Sequence, residues 1–180
     1  MVEPHIKVDS LAGVSELRSA PAPPPGDGEH LTGDPQAPLV IFYGDYTCPR
    51  CALAHERLRS APLRVAFRHF ALAKRHPRAV PLACAAEAAA RQGRFWEFHA
   101  SLFEDPAHTD DPHLWERART LGLDLERFER DRRAEEVAAL VRAQTRAGIR
   151  AGITQTPTLI AGGTILPGVP TPIEIDALTR

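Results

Sequence analysis

Cysteine is scarce in this chain, yet two of its three cysteines, Cys48 and Cys51, stand three residues apart within GDYTCPRCALAH. A thiol pair at that spacing supports two kinds of chemistry. It is half of a structural zinc site, which Cys84 and one of the eight histidines would have to complete. It is also a dithiol/disulfide couple. The second CxxC or HxxxH that a zinc site calls for is absent, so disulfide exchange is the first reading. If Cys48 opens a helix, unpaired backbone N–H groups and the positive end of the helix dipole face its sulfur and favour the thiolate. The thiolate is the form that attacks disulfides and electrophiles. Arg50 adds a nearby positive charge, and Pro49 stiffens the turn in a helical conformation. Cys51 then lies one turn behind, close enough to bond Cys48 and shielded from solvent. In that arrangement Cys48 attacks or is attacked, and Cys51 resolves the mixed disulfide.

The flanking sequence supplies elements able to hold such a pair. PLVIFY, at residues 38–43, is apolar without alternation, as in a central strand covered on both faces. CPRCALAHERLRS follows with helix-compatible residues and Pro49 near its start, where a missing N–H costs nothing. LRVAFRHF, at residues 63–70, has strand composition, which makes 38–70 a parallel βαβ unit. Residues 77–152 then read as a helical block. Leu82, Ala86 and Ala89 share one face, Phe95, Phe98 and Leu102 another, and Leu114, Ala118 and Leu121 a third. A longer helix over about 135–151 carries Val137, Leu140, Val141 and Gln144 on one side. TPTLIAGGTILPG reads as an antiparallel hairpin turning at Gly162 and Gly163, and Thr171, Pro172 and Glu174 form a capping-box start for a last short helix. The order is βαβ, helical insertion, ββα, with one short strand expected around IKV near the N-terminus.

A second chemical element is TQTPT, at residues 154–158. Proline cannot donate to a strand ladder, so Pro157 at a strand head marks an edge or a special bond. A trans peptide is the ordinary form; a cis peptide after Thr156 turns the chain sharply and leaves the Thr156 backbone free to pair with an extended segment.

CPRC after a buried strand, a helical insertion and then TPT leading a hairpin resemble the thioredoxin superfamily, and within it the DsbA-like thiol:disulfide oxidoreductases. EHLTGDPQAPLVIFYGDYTCPRCA resembles that family's lead into its active site, and AAEAAARQGRFWEFHASLF its inserted helical domain. The resemblance covers roughly residues 29–168. It implies a thioredoxin-like α/β fold with Cys48 as nucleophile, Cys51 as resolving thiol, Pro49 and Arg50 as tuners of the potential, and Thr156 and Pro157 as a cis-Pro loop facing the sulfurs. It also implies a buried carboxylate six residues before the first cysteine, where this chain has Phe42. Asp45 and His55 are the nearest titratable side chains in sequence. Asp45 reads equally as a helix cap and His55 as a solvated residue.

Other reactive or aromatic residues have plain readings. Cys84, among alanines, is a small buried hydrophobe. Phe95, Trp96, Phe98 and Phe103 form core rather than a groove, and His69, His76 and His99 read as surface or loop residues.

Composition bounds the rest. At 180 residues the chain fits one domain, with a Pro-rich, flexible N-terminal arm over 1–28 and the DsbA-like thioredoxin domain over 29–180. A net charge of −1 gives no basic field for nucleic acid or anionic lipid. No stretch reaches the roughly 18 apolar residues of a membrane span. Glu3, Lys7, Asp9 and Glu16 interrupt any secretory leader at the N-terminus, so the expectation is a cytoplasmic protein, or a periplasmic or extracellular one if a leader preceded it. No cofactor and no metal are called for. The expected partners are protein or small thiol/disulfide substrates and a redox partner for recycling, with the chain itself a monomer. The competing reading is a thioredoxin-like binding module, or a zinc-stabilised domain, that uses Cys48 and Cys51 without turnover.

Overall fold

The computed structural model describes residues 22–26 and 28–179. The strand expected around IKV therefore lies outside the described residues. Among those described, β1 (His30–Thr32), β2 (Leu39–Gly44), β3 (Arg64–His69), β4 (Thr158–Ala161) and β5 (Thr164–Pro167) form one sheet in the order β1-β3-β2-β4-β5. β2 and β3 are parallel, joined through helix α1 (Pro49–Arg59), and the other pairings are antiparallel.

The apolar run of β2 reflects two covered faces. Val40 and Phe42 join a large core with Val65, Phe67 and Leu159 and with Cys51, Ala54 and Leu58 of α1. Ile41 and Tyr43 point the other way, into a smaller core with Ala66, Phe70, Ile153 and Ile160. A strand buried on both sides has no solvated face to mark with polar residues, so its sequence does not alternate. β1 went unforeseen for the opposite reason. Three residues, His30, Leu31 and Thr32, carry no periodic signal, and the strand exists by pairing with β3 at the sheet edge.

The helical block comprises α2 (Ala79–Ala90), α3 (Phe95–Glu104), α4 (Asp111–Thr120), α5 (Leu125–Arg132) and α6 (Glu135–Arg150). Asp110 and Asp124 cap α4 and α5 by accepting from the backbone N–H groups of His113 and Arg127. On α6 the buried stripe is Val137, Val141, Thr145 and Gly148. Leu140, expected on that side, is 43% exposed instead. The hairpin turns at Gly162 and Gly163, both at positive φ. α7 (Pro172–Leu178) begins with the full capping box of Thr171 and Glu174.

The Pro-rich stretch read as mobile is, over residues 22–26, laid on the sheet. The Arg68 guanidinium donates to the Pro23 carbonyl at 2.8 Å and to both carboxylate oxygens of Glu29, and Ala22 packs on the Ile41/Tyr43 core. The residue that fastens the segment is a buried arginine on β3, which nothing in the segment's own composition reveals.

Candidate active site

The end of β2 and the start of α1 place the two cysteines. After Gly44 the chain turns through Asp45, whose carboxylate accepts from the Thr47 N–H and hydroxyl at 2.8 and 2.7 Å. The Cys48 N–H donates to the Asp45 carbonyl at 3.1 Å. Asp45 thus caps the turn before the helix, while Cys48 itself is the N-cap of α1, in extended conformation with Pro49 next. The Cys51 N–H donates to the Cys48 carbonyl at 2.9 Å, closing the first turn.

The pair is asymmetric. Cys48 is half-buried, Cys51 wholly buried, and both are free thiols. The Cys48 thiol is lowered to about 5, foremost by a hydrogen bond from the Cys51 thiol. Partial burial opposes ionisation, but hydrogen bonds from the Thr156 side chain and from the backbone N–H groups of Cys51 and Arg50 outweigh it. The Cys51 thiol is pushed far above its ordinary range by burial, and further by its role as donor to Cys48. The Asp45 N–H reaches the Cys51 sulfur at 3.5 Å. One sulfur is therefore a ready anion and the other a held proton.

Opposite them, 108 residues on, the Thr156–Pro157 peptide is cis. The Thr156 carbonyl lies 3.5 Å from the Cys48 sulfur and accepts from the Arg50 guanidinium at 3.2 Å. The Pro157 carbonyl is taken by the Gly168 N–H at 2.8 Å. Cys48, Cys51, Arg50 and Thr156 thus meet at one place, with Pro157 buried beneath and Pro49 exposed at the rim.

Other residues sit where the sequence reading did not put them. Phe42 is part of an aromatic core, edge-on to Phe67 with centroids 5.2 Å apart and 6.4 Å from the Phe103 ring. His69 and His99, read as surface residues, are 1% and 0% exposed. The Nε2 of His69 and the Nε2 of His30 each lie 2.9 Å from Glu87 Oε1. His99 Nδ1 meets the Tyr46 hydroxyl at 2.9 Å, and His99 Nε2 meets His55 Nδ1 at 3.1 Å. The signal was present: His69 is two residues after Phe67 on a strand, and His99 lies four from both Phe95 and Phe103 on a helix. A face occupied by phenylalanines is a buried face whatever else stands on it.

Cys84 is buried as expected, its thiol raised to about 11 by burial and by Glu87, and it packs with Val137 and Val141 away from the pair. Among the described residues no group of three or more His, Cys, Asp or Glu side chains is arranged to hold a metal ion. Among the same residues no helix is long and apolar enough to cross a membrane.

Comparison with known proteins agrees with this geometry. The profile of the family described as Thioredoxin matches residues 26–179. Among solved structures, a thioredoxin-like oxidoreductase from Silicibacter pomeroyi DSS-3 superposes with a TM-score of 0.76 at 24% identity, covering 85% of this chain and 91% of that one. BdbD from Bacillus subtilis (oxidised) gives 0.73 at 20% identity, with 88% and 95% covered. Wolbachia pipientis alpha-DsbA1 gives 0.65 at 24% identity, with 76% and 75% covered. At these identities the likeness establishes the fold, thioredoxin-like with the DsbA-type helical insertion. Among curated sequences, the Na(+)/H(+) antiporter NhaA 1 of Mycobacterium sp. (strain KMS) is 37% identical over 147 residues, 75% of this chain and 24% of the antiporter. NhaA 3 of Salinispora tropica is 33% identical over 186 residues, 98% of this chain and 28% of that protein. The chain spans about a quarter of the length of these relatives.

Proposed function

From the premise that this chain belongs to the thioredoxin family, we propose that it is a thiol:disulfide oxidoreductase working through the Cys48/Cys51 couple. The observation that carries the reading is the asymmetry of the two sulfurs, one lowered to about 5 and the other held protonated in the core. As a disulfide, the couple is attacked at the more accessible Cys48 by a substrate thiolate; the Cys48–Cys51 bond breaks, and Cys51 leaves and takes a proton. A second substrate thiolate then attacks the substrate sulfur of the mixed disulfide, and Cys48 departs as a stabilised thiolate. The substrate gains a disulfide and the protein becomes the dithiol. The reverse sequence reduces a substrate. Thiols of low pKa are good leaving groups, and stabilising the reduced form makes the disulfide an oxidant, so donation of disulfides is the favoured direction.

In this reading Thr156 and the cis Pro157 form the wall along which the substrate backbone lies. Pro49 and the Arg50 N–H help set the potential. Substrates are proteins or small thiols, and a separate redox partner restores the disulfide. An oxidant acts where disulfides persist, which favours a site outside the reducing cytosol over the cytoplasmic placement drawn from the N-terminal charges. Antiport is not carried over, because the matched stretch is only about a quarter of each named antiporter and no described helix is long and apolar enough to cross a membrane. The deciding experiment measures the reduction potential of the couple against glutathione, together with oxidation of a reduced protein substrate. A potential well above the roughly −270 mV of thioredoxin, with activity lost in Cys48→Ser, supports the oxidant. Equilibration at or below that potential would make it a reductant, and inertness of the couple would make it a binding module.

A further inference from the structure

Cys51 poses a problem that its own surroundings do not solve. Its sulfur is 0% exposed, so the proton it holds has no direct route to water, and β2, where the family resemblance implies a carboxylate, presents Phe42. Each time Cys51 attacks or leaves, a proton must cross this apolar core. Burying a charge there is costly, so the transfer needs a partner within reach or one water away.

The Tyr46–His99–His55 chain is tied to the surroundings of that sulfur at both ends. Tyr46 adjoins Asp45, whose N–H touches the Cys51 sulfur. His55 stands four residues after Cys51 on α1, on the same side of the helix, where side chains are neighbours. His99, fully buried, joins them through both ring nitrogens. The one unmatched atom is at the end: His55 Nε2 is buried and has no hydrogen-bond partner. Two tautomeric arrangements satisfy the chain. With protons running from Tyr46 toward His55, Nε2 is a donor with nothing to receive its hydrogen. With protons running the other way, Nε2 is a free lone pair, and His99 holds the proton on His55 Nδ1 by accepting it. In the second arrangement His55 is a neutral base, oriented by His99 and Tyr46. An orphaned buried polar atom costs stability, and such a cost is retained where the atom has work to do.

We infer that His55 carries the proton of the Cys51 thiol during exchange, with His99 and Tyr46 as positioning residues that fix its ring and tautomer. This rests on the redox reading above. When Cys51 attacks the Cys48–substrate mixed disulfide, the Cys51–Cys48 bond forms and the Cys48–substrate bond breaks. The substrate sulfur leaves with the electron pair, and the Cys51 proton passes to His55 Nε2, directly or through one water. The resulting imidazolium keeps its Nδ1–H on His99, and His99 in turn donates to Tyr46. The imidazolium holds the proton on Nε2 until the reverse exchange, or a water admitted to the site, takes it. In the oxidising direction the same imidazolium returns the proton to Cys51. Burial, then the Arg59 charge, lowers the basicity of His55 against the opposing pull of Glu56 and Glu104, which suits a neutral acceptor near pH 7. His99 is the other titratable group packed on its ring, beside the apolar Phe103.

The test mixes the reduced full chain with excess dithiobis-nitrobenzoate and follows the coloured thiolate. Cys48 attack releases the first equivalent and Cys51 attack the second, and Cys51→Ala, confined to the first, fixes the assignment. In His55→Gln the second release is expected to slow at least about tenfold at pH 7 with the first unchanged. The gap to the parent should close as pH is lowered far enough to protonate His55, whose burial shifts that point down from the ordinary imidazole range. Added imidazole should restore part of the rate in His55→Ala. A second release within about twofold of the parent, or both releases slowed alike with no rescue, would overturn the relay. A parent that never gives the second release removes the redox function itself, and the relay with it.

Discussion

The sulfur of Cys48 and the backbone carbonyl of Thr156 meet at 3.5 Å across 108 residues of chain. The Thr156 side chain also helps lower the Cys48 thiol, so one residue both faces that sulfur and favours its charge. Thr156→Val should therefore raise the Cys48 midpoint from about 5, by about half to one unit for one lost donor on a half-exposed group. Cys51→Ala, which deletes the largest stabiliser, should raise it further. Thiolate absorbance followed against pH reads both, and equal midpoints in parent and variants would mean that neither donor matters.

The same shift links stability to pH. A folded-state value below the unfolded one stabilises the reduced protein fully above about pH 9, and the benefit fades as pH falls toward about 5. Cys51, raised in the fold, opposes this only from about pH 9 upward, where the unfolded thiol ionises and the folded one does not, so the rise is read between about pH 5 and 8. The melting temperature of the dithiol form minus that of the disulfide form should shrink steadily between those limits. A difference that stays flat with pH would contradict the lowered Cys48 value.

Arg50 yields a sharper expectation. Its guanidinium donates to the Thr156 carbonyl, whereas its contribution to the Cys48 thiolate comes from its backbone N–H. Arg50→Gln keeps that N–H. It should move the Cys48 midpoint by less than about half a unit, although the charge beside the sulfur is gone. A rise of a full unit or more in the same titration would show that the side-chain charge does the tuning.

The parts of this arrangement that were legible in the sequence are those written locally. Cys48 at a helix start, Pro49 after it and the hairpin glycines each announce themselves through neighbours a few residues away. The buried polar groups do not. Glu87 sits among alanines on α2, and its two histidines come from β1 and β3, 57 and 18 residues distant. Its burial is tolerable only because the fold assembles those partners. His99 reads as exposed because histidine commonly is, yet the phenylalanines that share its helical face mark that face as buried. Arg68 likewise gives no local hint that it fastens residues 22–26.

Gly44, where β2 enters the site, tests how closely that entry is packed. A Cβ there would come within 2.6 Å of Phe67 Cε2 and 3.1 Å of Phe42 Cζ, and both rings are buried. Gly44→Ala must displace one of them, at a cost of about 1–3 kcal/mol. Urea unfolding should show a lower midpoint with an unchanged slope. A midpoint equal to the parent's would mean the rings yield freely.

Glu87 ties the insertion to the sheet, since its Oε1 bonds His30 of β1 and His69 of β3 at 2.9 Å each while the residue is 5% exposed. Burial alone would raise its carboxyl, but hydrogen bonds from the two imidazoles reverse the effect and bring it down to about 2 from an ordinary 4.5. The folded value is the lower one, so the contribution is complete above pH 4.5 and disappears as pH falls to 2, an amount of about 3 kcal/mol. Glu87→Gln should lose roughly that much at pH 7 and unfold with a flatter acid limb. Glu87→Ala, which also leaves a void and two unmatched histidines, should lose about 3–5 kcal/mol. Acid titrations of circular dichroism on the three proteins decide it: if the Glu87→Gln curve lies on the parent's, the carboxylate is not what holds α2 to the strands.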